Sequence, residues 1–452
     1  MKRTFKFRAL KLCAAVAALA LLSGCSMKGF SPEDTIKAPG ATGYYAGVQK
    51  ALEQAVGNDI VLKYPKVGAN HSAFCSGDFD GNGKDEVLAF YQKKGESSVT
   101  RMNLLSWENG KWKSVQDLNP VGRELLEAEI SDLDRDGAYE IITGWQISTA
   151  KTNQLIIYKM EGGGLVQRAD ETYNAFVICD IDNNGRDDVG IAVIDAQSKK
   201  ANLTFNDFEN NTFKTESSIM LDGGVTEYVN IIASEMNGKT AVYLDGLKSS
   251  DVMITELIYY ENGALFNPFA KGDYAENTVT ARRNGRRCKD VNGDGKIDIP
   301  LAKPIAGYNL VSGTGYYTDW SDYDGKEFKS VMAAWYCTSE GYYLILDEPW
   351  KDGVTVIFDS EKGTAVFCKW NSESKSAGSE MFRIAVFDSD KFLGQNDQNA
   401  EGTDNSEEAS AVGYIALAVS DNKTFAVKFT DYSGEYSVTY EQLKEKFKFI
   451  VD

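Results

Sequence analysis

Short apolar runs alternate with polar, glycine-bearing turns over most of the chain. SAFCSGDF (72–79), EVLAFYQ (86–92), TRMNLLSW (100–107) and KWKSVQDL (111–118) open the series, and VLAFY, IITGW, VGIAVI and IPLAK each follow an acidic stretch. Runs this short, rich in Val, Ile, Tyr and Phe, predict β-strands, and Asn109-Gly110 between two of them predicts a tight hairpin. Two segments carry helix spacing instead. YYAGVQKALEQAV (44–56) places Val48, Leu52, Ala55 and Val56 on one side and ends at Gly57, ahead of a strand predicted over 60–64. YSVTYEQLKEKFKFI offers Ser437 or Thr439 as a cap and sets Tyr440, Leu443 and Phe447 along one side of a terminal helix.

The acidic stretches form a repeat. DFDGNGKDEV from Asp78, DLDRDGAYEI from Asp132, DIDNNGRDDV from Asp180 and DVNGDGKIDI from Asp290 all fit D-x-[DN]-x-[DN]-G-x-x-[DE] followed by an apolar residue. Oxygens at positions 1, 3, 5 and 9 with a carbonyl at 7, folded around one point by a glycine at 6, are a ligand set for a hard cation, and calcium suits it best. The candidate ligands are Asp78, Asp80, Asn82, the Lys84 carbonyl and Glu86; Asp132, Asp134, Asp136, the Ala138 carbonyl and Glu140; Asp180, Asp182, Asn184, the Arg186 carbonyl and Asp188; and Asp290, Asn292, Asp294, the Lys296 carbonyl and Asp298. About four structural calcium ions are expected. An EF-hand is excluded because position 12 of the loops holds Ala89, Thr143, Ile191 or Leu301, not Glu, and because strands follow rather than helices.

The loops recur at intervals near 55 residues, with Glu235 and Asn237-Gly238 standing as a worn-out copy midway between the third and fourth. Each period reads as four antiparallel strands, the unit of a propeller blade. The expected fold is mainly β: a β-propeller of about five four-stranded blades over 69–337, starting near 69, 124, 173, 228 and 281. A short helix and strand over 44–68 lead into it, and an antiparallel sheet plus helix follows as a separate domain over 338–452. Dividing that last segment into two more blades would make seven.

The core G-D-F-D-G-N-G-K-D at Gly77–Asp85 resembles the FG-GAP and VCBS-type repeats, the calcium-loop blades also found in integrin α-subunit heads. The flanking Phe-Gly and Gly-Ala-Pro elements are missing, so the chain is more similar to the looser bacterial class, the VCBS-repeat lipoproteins of clostridia. That resemblance implies a propeller and bound calcium but supplies no biochemical role.

The N-terminus points to a surface location. Lys2, Arg3, Lys6, Arg8 and Lys11 precede an apolar run ending in Leu22-Ser23-Gly24-Cys25. This is the layout of a signal peptide over 1–24, too short to span a bilayer permanently. The tetrapeptide resembles a lipobox, which implies acylation of Cys25, a tether over 25–43 and a lipid-anchored protein on the extracytoplasmic face of a bacterial membrane. The other cysteines of the body, Cys75, Cys179, Cys288, Cys337 and Cys368, are odd in number and lack C-x-x-C spacing, so they read as buried thiols. With 48 Lys and Arg against 66 Asp and Glu, the formal charge of −18 argues against a nucleic-acid partner.

Candidate chemistry outside the loops is sparse. His71 is the lone histidine and lies in a lead-in segment, where a surface role is the common one. Tyr308, Tyr316, Tyr317, Trp320 and Tyr323 form the densest aromatic group, able to stack on sugars or to pair across ordinary strands. The run Arg282-Arg283 and Arg286-Arg287 lies beside the fourth loop and could hold an anion or neutralise carboxylates. The leading expectation is a membrane-tethered binding or scaffold module for a glycan, a peptidoglycan fragment or a protein. The alternative is a carbohydrate-active lyase or hydrolase on the same scaffold, since carboxylate pairs are plentiful and some sugar lyases use calcium-loop propellers.

Overall fold

In the computed structural model, which describes residues 43–96, 99–147, 153–283, 285–396 and 411–450, the apolar runs fold as predicted into antiparallel strands. Helix α1 (Tyr44–Val56) comes first, turning Val48, Ala51 and Leu52 inward and ending at Gly57, whose φ of 95° suits glycine. The first sheet holds β1 (Ile60–Leu62), β2 (Phe74–Gly77), β3 (Glu86–Lys93), β4 (Thr100–Glu108) and β5 (Lys111–Gly122). The second is β6 (Glu124–Ser131), β7 (Glu140–Gln146), β8 (Asn153–Glu161) and β9 (Gly164–Tyr173). The third is β10 (Ala175–Cys179), β11 (Asp188–Asp195), β12 (Lys200–Glu209) and β13 (Thr212–Leu221), and the fourth β14 (Glu227–Met236), β15 (Lys239–Leu247), β16 (Met253–Glu261) and β17 (Ala264–Phe266).

The fifth sheet contains β18 (Ile299–Pro304), β19 (Tyr316–Tyr323), β20 (Phe328–Cys337) and β21 (Tyr342–Leu346). After a single turn of helix, α2 (Trp350–Gly353), the sixth takes β22 (Val354–Asp359), β23 (Thr364–Asn371), β24 (Ser376–Asp388), β25 (Ile415–Ser420) and β26 (Lys423–Phe429), with α3 (Ser389–Asn396) inserted. Helix α4 (Tyr440–Lys446) is capped by Thr439 in a capping box with Gln442, and β27 (Phe447–Phe449) then pairs with β21.

The strands after the acidic loops are apolar at nearly every position because both of their faces are buried. Along β3, Leu88 and Phe90 belong to a core shared with the second sheet, while Val87, Ala89 and Tyr91 meet α1. Along β15, Val242 and Leu244 face the third sheet, and Ala241 and Tyr243 face the fifth. Alternation along a strand thus feeds two cores, and consecutive sheets stack face to face. Strands β2 and β6, and β10 and β14, lie side by side, as do β5, β9, β13 and β17 in series.

Two expectations about the C-terminal part are corrected. The boundary at 337/338 falls inside the β20–β21 hairpin, whose register runs Cys337 opposite Tyr342, so residues up to 346 continue the fifth sheet. The terminal helix also stops before Phe447: the alternation Phe447-Lys448-Phe449 has strand period, and the chain returns to pair with β21. The fifth and sixth sheets share one large core, in which Trp335 packs on Tyr342, Phe358 and Phe367. The worn-out copy is a two-residue hairpin, Asn237 and Gly238 both at positive φ between β14 and β15.

Candidate functional site

The first three acidic loops join β2 to β3, β6 to β7 and β10 to β11, the fourth leads into β18 across an isolated bridge between Lys289 and Asp298, and all four are built alike. The position-9 carboxylate accepts from the backbone N–H of position 2: Glu86 from Phe79 at 3.2 Å, Glu140 from Leu133 at 2.9 Å, Asp188 from Ile181 at 3.1 Å and Asp298 from Val291 at 3.0 Å. The position-1 carboxylate accepts from the position-6 glycine, as Asp78 does from Gly83 at 2.7 Å and Asp180 from Gly185 at 2.6 Å. Besides that glycine, position 4 is left-handed in every loop, with Gly81, Arg135, Asn183 and Gly293 at φ between 57° and 80°. Two such bends in three residues curl the oxygens inward.

The carboxylates converge as the spacing predicts. Asp78, Asp80 and Glu86 bring oxygens within 4.8 Å of one another, as do Asp132, Asp134 and Asp136, and Asp180, Asp182 and Asp188. Asp298 Oδ1 in the fourth loop, and Asp132 Oδ1 and Asp134 Oδ1 in the second, are buried without a hydrogen-bond partner. Burial, reinforced by neighbouring loop carboxylates, pushes Glu86, Glu140 and Asp188 up to about 7 and Asp298 up to about 6. Crowded, desolvated carboxylates of this kind fit a divalent hard cation, so the donor set can hold metal ions. In the second loop, however, Lys159 from β8 already lies against Asp134, Asp136 and Glu140.

Beside the fourth loop lies a pocket of about 650 Å³. Arg286, Arg287 and Lys289 line it with Asp290, position 1 of the loop, and the aromatic side is Trp320, Tyr336 and Tyr343. The Arg286 guanidinium sits 4.1 Å from the centre of the Tyr336 ring, which stacks on Tyr343 at 4.8 Å, and Trp320 Nε1 donates to the Tyr336 hydroxyl at 3.1 Å. Burial raises the Tyr336 hydroxyl above the ordinary phenol range. Two guanidinium groups and the Lys289 side chain against one carboxylate, in a chain of net charge −18, make this an anion-accepting concavity. Phe449 and Ile450 close it from the far end of the sequence.

The loop carrying these cations is anchored from below. Arg282, buried, pairs with the equally buried Asp245 at 2.7 Å and donates from Nε to the Arg286 carbonyl at 2.7 Å. The four arginines of the run thus do different things: Arg282 is internal, Arg283 pairs with Asp251, and Arg286 and Arg287 face the pocket. Tyr336 and Tyr343 were absent from the sequence-derived candidates, and only the strand register of β20 and β21 brings them here.

The expected aromatic group does not act as one surface. Tyr317 and Tyr323 pack into two different cores, Trp320 is buried at the wall of the pocket, Tyr316 is exposed, and Tyr308 leans on it at 4.5 Å between ring centres. His71 is exposed in the lead-in to β2, and all five body cysteines are buried with free thiols. Cys25 and the residues around it lie outside the described residues; no described helix is long and apolar enough to cross a membrane.

No protein-family model matches the chain. A curated relative, rhamnogalacturonan exolyase YesX of Bacillus subtilis, is 24% identical over 292 residues, 52% of this chain and 46% of that protein, so the chain spans about half of its relative's length. Solved structures include the exotype rhamnogalacturonan lyase YesX (13% identity, TM-score 0.28, covering 71% of this chain and 69% of that one). The Bacillus licheniformis rhamnogalacturonan lyase PL11 gives 13% identity and a TM-score of 0.29 over 68% of this chain and 74% of that one. A protein from Lactobacillus plantarum gives 9% and 0.31 over 70% and 86%. At these scores the structural likeness carries no argument. The curated relative corrects the leading functional expectation: a binding or scaffold module gives way to the carbohydrate-active alternative.

Proposed function

We propose that the protein is a polysaccharide lyase acting on a uronate-containing glycan of the rhamnogalacturonan type, with the pocket beside the fourth loop as its site. The observation that carries the reading is the 292-residue match to rhamnogalacturonan exolyase YesX. The pocket supports it, because a uronate carries an anionic group beside a stackable sugar ring and the pocket offers cations beside aromatic faces. The first five sheets are read as propeller blades and the acidic loops as cation sites, calcium filling those that no side chain already occupies, that hold the inner strand ends. Calcium would supply rigidity there, and through Asp290 it would fix one wall of the pocket.

Elimination from a uronate needs three things: its carboxylate neutralised, the proton next to it removed, and the departing oxygen protonated. Arg286 and Arg287 are assigned the carboxylate. Lys289 is assigned to the proton as its base, and the electrons of that C–H bond form the C=C as the C–O bond breaks. The Tyr336 hydroxyl, held protonated by burial, gives its proton to the leaving oxygen. An extracytoplasmic, lipid-anchored location through Cys25 belongs to the same proposal and rests on the N-terminal residues alone.

Incubating the full chain with rhamnogalacturonan and with homogalacturonan tests the reading. New near-ultraviolet absorbance from the conjugated product, lost in Lys289→Ala and Tyr336→Phe, is the expected result. New reducing ends without that absorbance would mean a hydrolase, and saturable binding with no product would overturn enzymatic activity altogether.

A further inference from the structure

We infer that the second acidic loop carries its own cation, the Lys159 ammonium, and that the chain takes calcium at three loops rather than four. The proposal is independent of the lyase reading. It rests on one register position, the residue opposite the position-9 carboxylate on the next strand. In the second sheet Ile141 pairs with Tyr158, so Glu140 faces Lys159. The same step places Ser106 opposite Glu86, Asp207 opposite Asp188 and Asp322 opposite Asp298.

Lys159 Nζ lies 2.6 Å from Asp134 Oδ2, 2.7 Å from Asp136 Oδ2 and 2.9 Å from Glu140 Oε1, with its side chain only 10% exposed. An ammonium has three protons, and here three carboxylates surround them. These are positions 3, 5 and 9, the groups a calcium ion would share. In the first and third loops the position-9 carboxylate belongs to the converging cluster; in the second the cluster is Asp132, Asp134 and Asp136, without Glu140. The third and fourth loops follow the opposite logic. Their register position adds a carboxylate, and the position-7 side chain pairs with it, Arg186 with Asp207 at 3.3 Å and Lys296 with Asp322 at 3.1 Å. The first loop has uncharged Ser106 there.

A monovalent and a divalent cation confined against the same desolvated oxygens repel strongly, so calcium would have to expel Lys159 first. The tethered ammonium needs no external ion and is present at every calcium concentration. Asp132 Oδ1 and Asp134 Oδ1 remain without hydrogen-bond partners, and Glu140 Oε1 meets Lys159 as an ion pair without hydrogen-bond geometry, which is why the stoichiometry is the decisive measurement.

Calcium bound per full chain is counted by elemental analysis after equilibrium dialysis against saturating calcium. Three ions are expected for the wild type and for Asp132→Asn, two for Asp180→Asn, and four for Lys159→Ser, which copies the first loop. Any wild-type count other than three, a loss of one ion in Asp132→Asn, or no gain in a folded Lys159→Ser overturns the inference. Should Lys159→Ser fail to fold, the wild-type and Asp132→Asn counts decide it without that variant.

Discussion

Replacing Arg282 with Met removes a fully buried cation beneath the pocket. Asp245, its partner at 2.7 Å, is equally buried, so the substitution leaves a carboxylate charge in a desolvated site. Breaking a buried pair in this way costs about 3–5 kcal/mol. Two features of the surroundings adjust that figure in opposite directions. Asp245 keeps three donors, Thr255 Oγ1 at 2.5 Å, Cys288 N at 2.8 Å and Asn230 Nδ2 at 3.0 Å, which moderate the penalty. The carbonyls of Arg286 and Thr280 lose the donors now at 2.7 and 3.1 Å, which adds to it. The expected loss is about 4 kcal/mol, a large part of the roughly 5–15 kcal/mol that holds a typical protein folded. Urea unfolding at constant calcium and neutral pH measures it from the shift in midpoint. Arg282→Met combined with Asp245→Asn should recover at least about 1 kcal/mol, because the stranded charge is then gone. A loss below about 1 kcal/mol in the single variant, or no recovery in the double, would refute the view that this pair anchors the loop bearing Arg286 and Arg287.

Chelation should lower stability by about 1.8 kcal/mol for each site emptied, taking a dissociation constant near ~0.1 mM and calcium near ~2 mM, and differential scanning calorimetry with and without chelator checks it. The chelated protein should also lose stability as pH rises from about 5 to about 8. Glu86, Asp188 and Asp298 are raised in the folded state to about 7, 7 and 6, so between the unfolded and folded values the native state binds more protons and each unit of pH costs stability. Excess calcium should flatten that slope, and parallel pH profiles would sink the argument. Gly144→Ala should cost about 1–3 kcal/mol, because its Cβ would stand 2.2 Å from the buried Tyr173 hydroxyl; thermal melts read this directly. Trp320→Ala should cost about 3–5 kcal/mol, with Trp320 only 1% exposed, while Tyr316→Ala at 44% exposure should change stability by less than about 0.5 kcal/mol. Similar losses for the two would contradict the burial pattern of β19.

Much of the molecule was legible in one dimension because its determinants are local. Strand runs, the Asn109-Gly110 turn, the stop at Gly57 and the loop ligands each depend on residues a few positions apart, and backbone sterics and turn chemistry act over that range. The apolar runs after the loops were read as strands, and it was the stacked sheets that showed both of their faces buried. The left-handed bend at position 4 came from the structure: Gly81, Asn183 and Gly293 could have signalled it, while Arg135 gives no such signal.

What the sequence determined alone is therefore the mainly β architecture, the repeat and the cation-ligating chemistry of the loops. Only tertiary structure decided which groups face one another across strands and between sheets. Lys159 is an ordinary surface-type residue until register sets it against Glu140, and the arginine run becomes a pocket wall only when β20, β21 and the C-terminal Phe449 and Ile450 close around it. The same register sent Tyr317 and Tyr323 into separate cores and joined Tyr336 and Tyr343 to Trp320 as the pocket's aromatic face. A one-residue change in pairing reverses which side of a strand each side chain occupies, and residues far apart in sequence set that pairing through the cores they share.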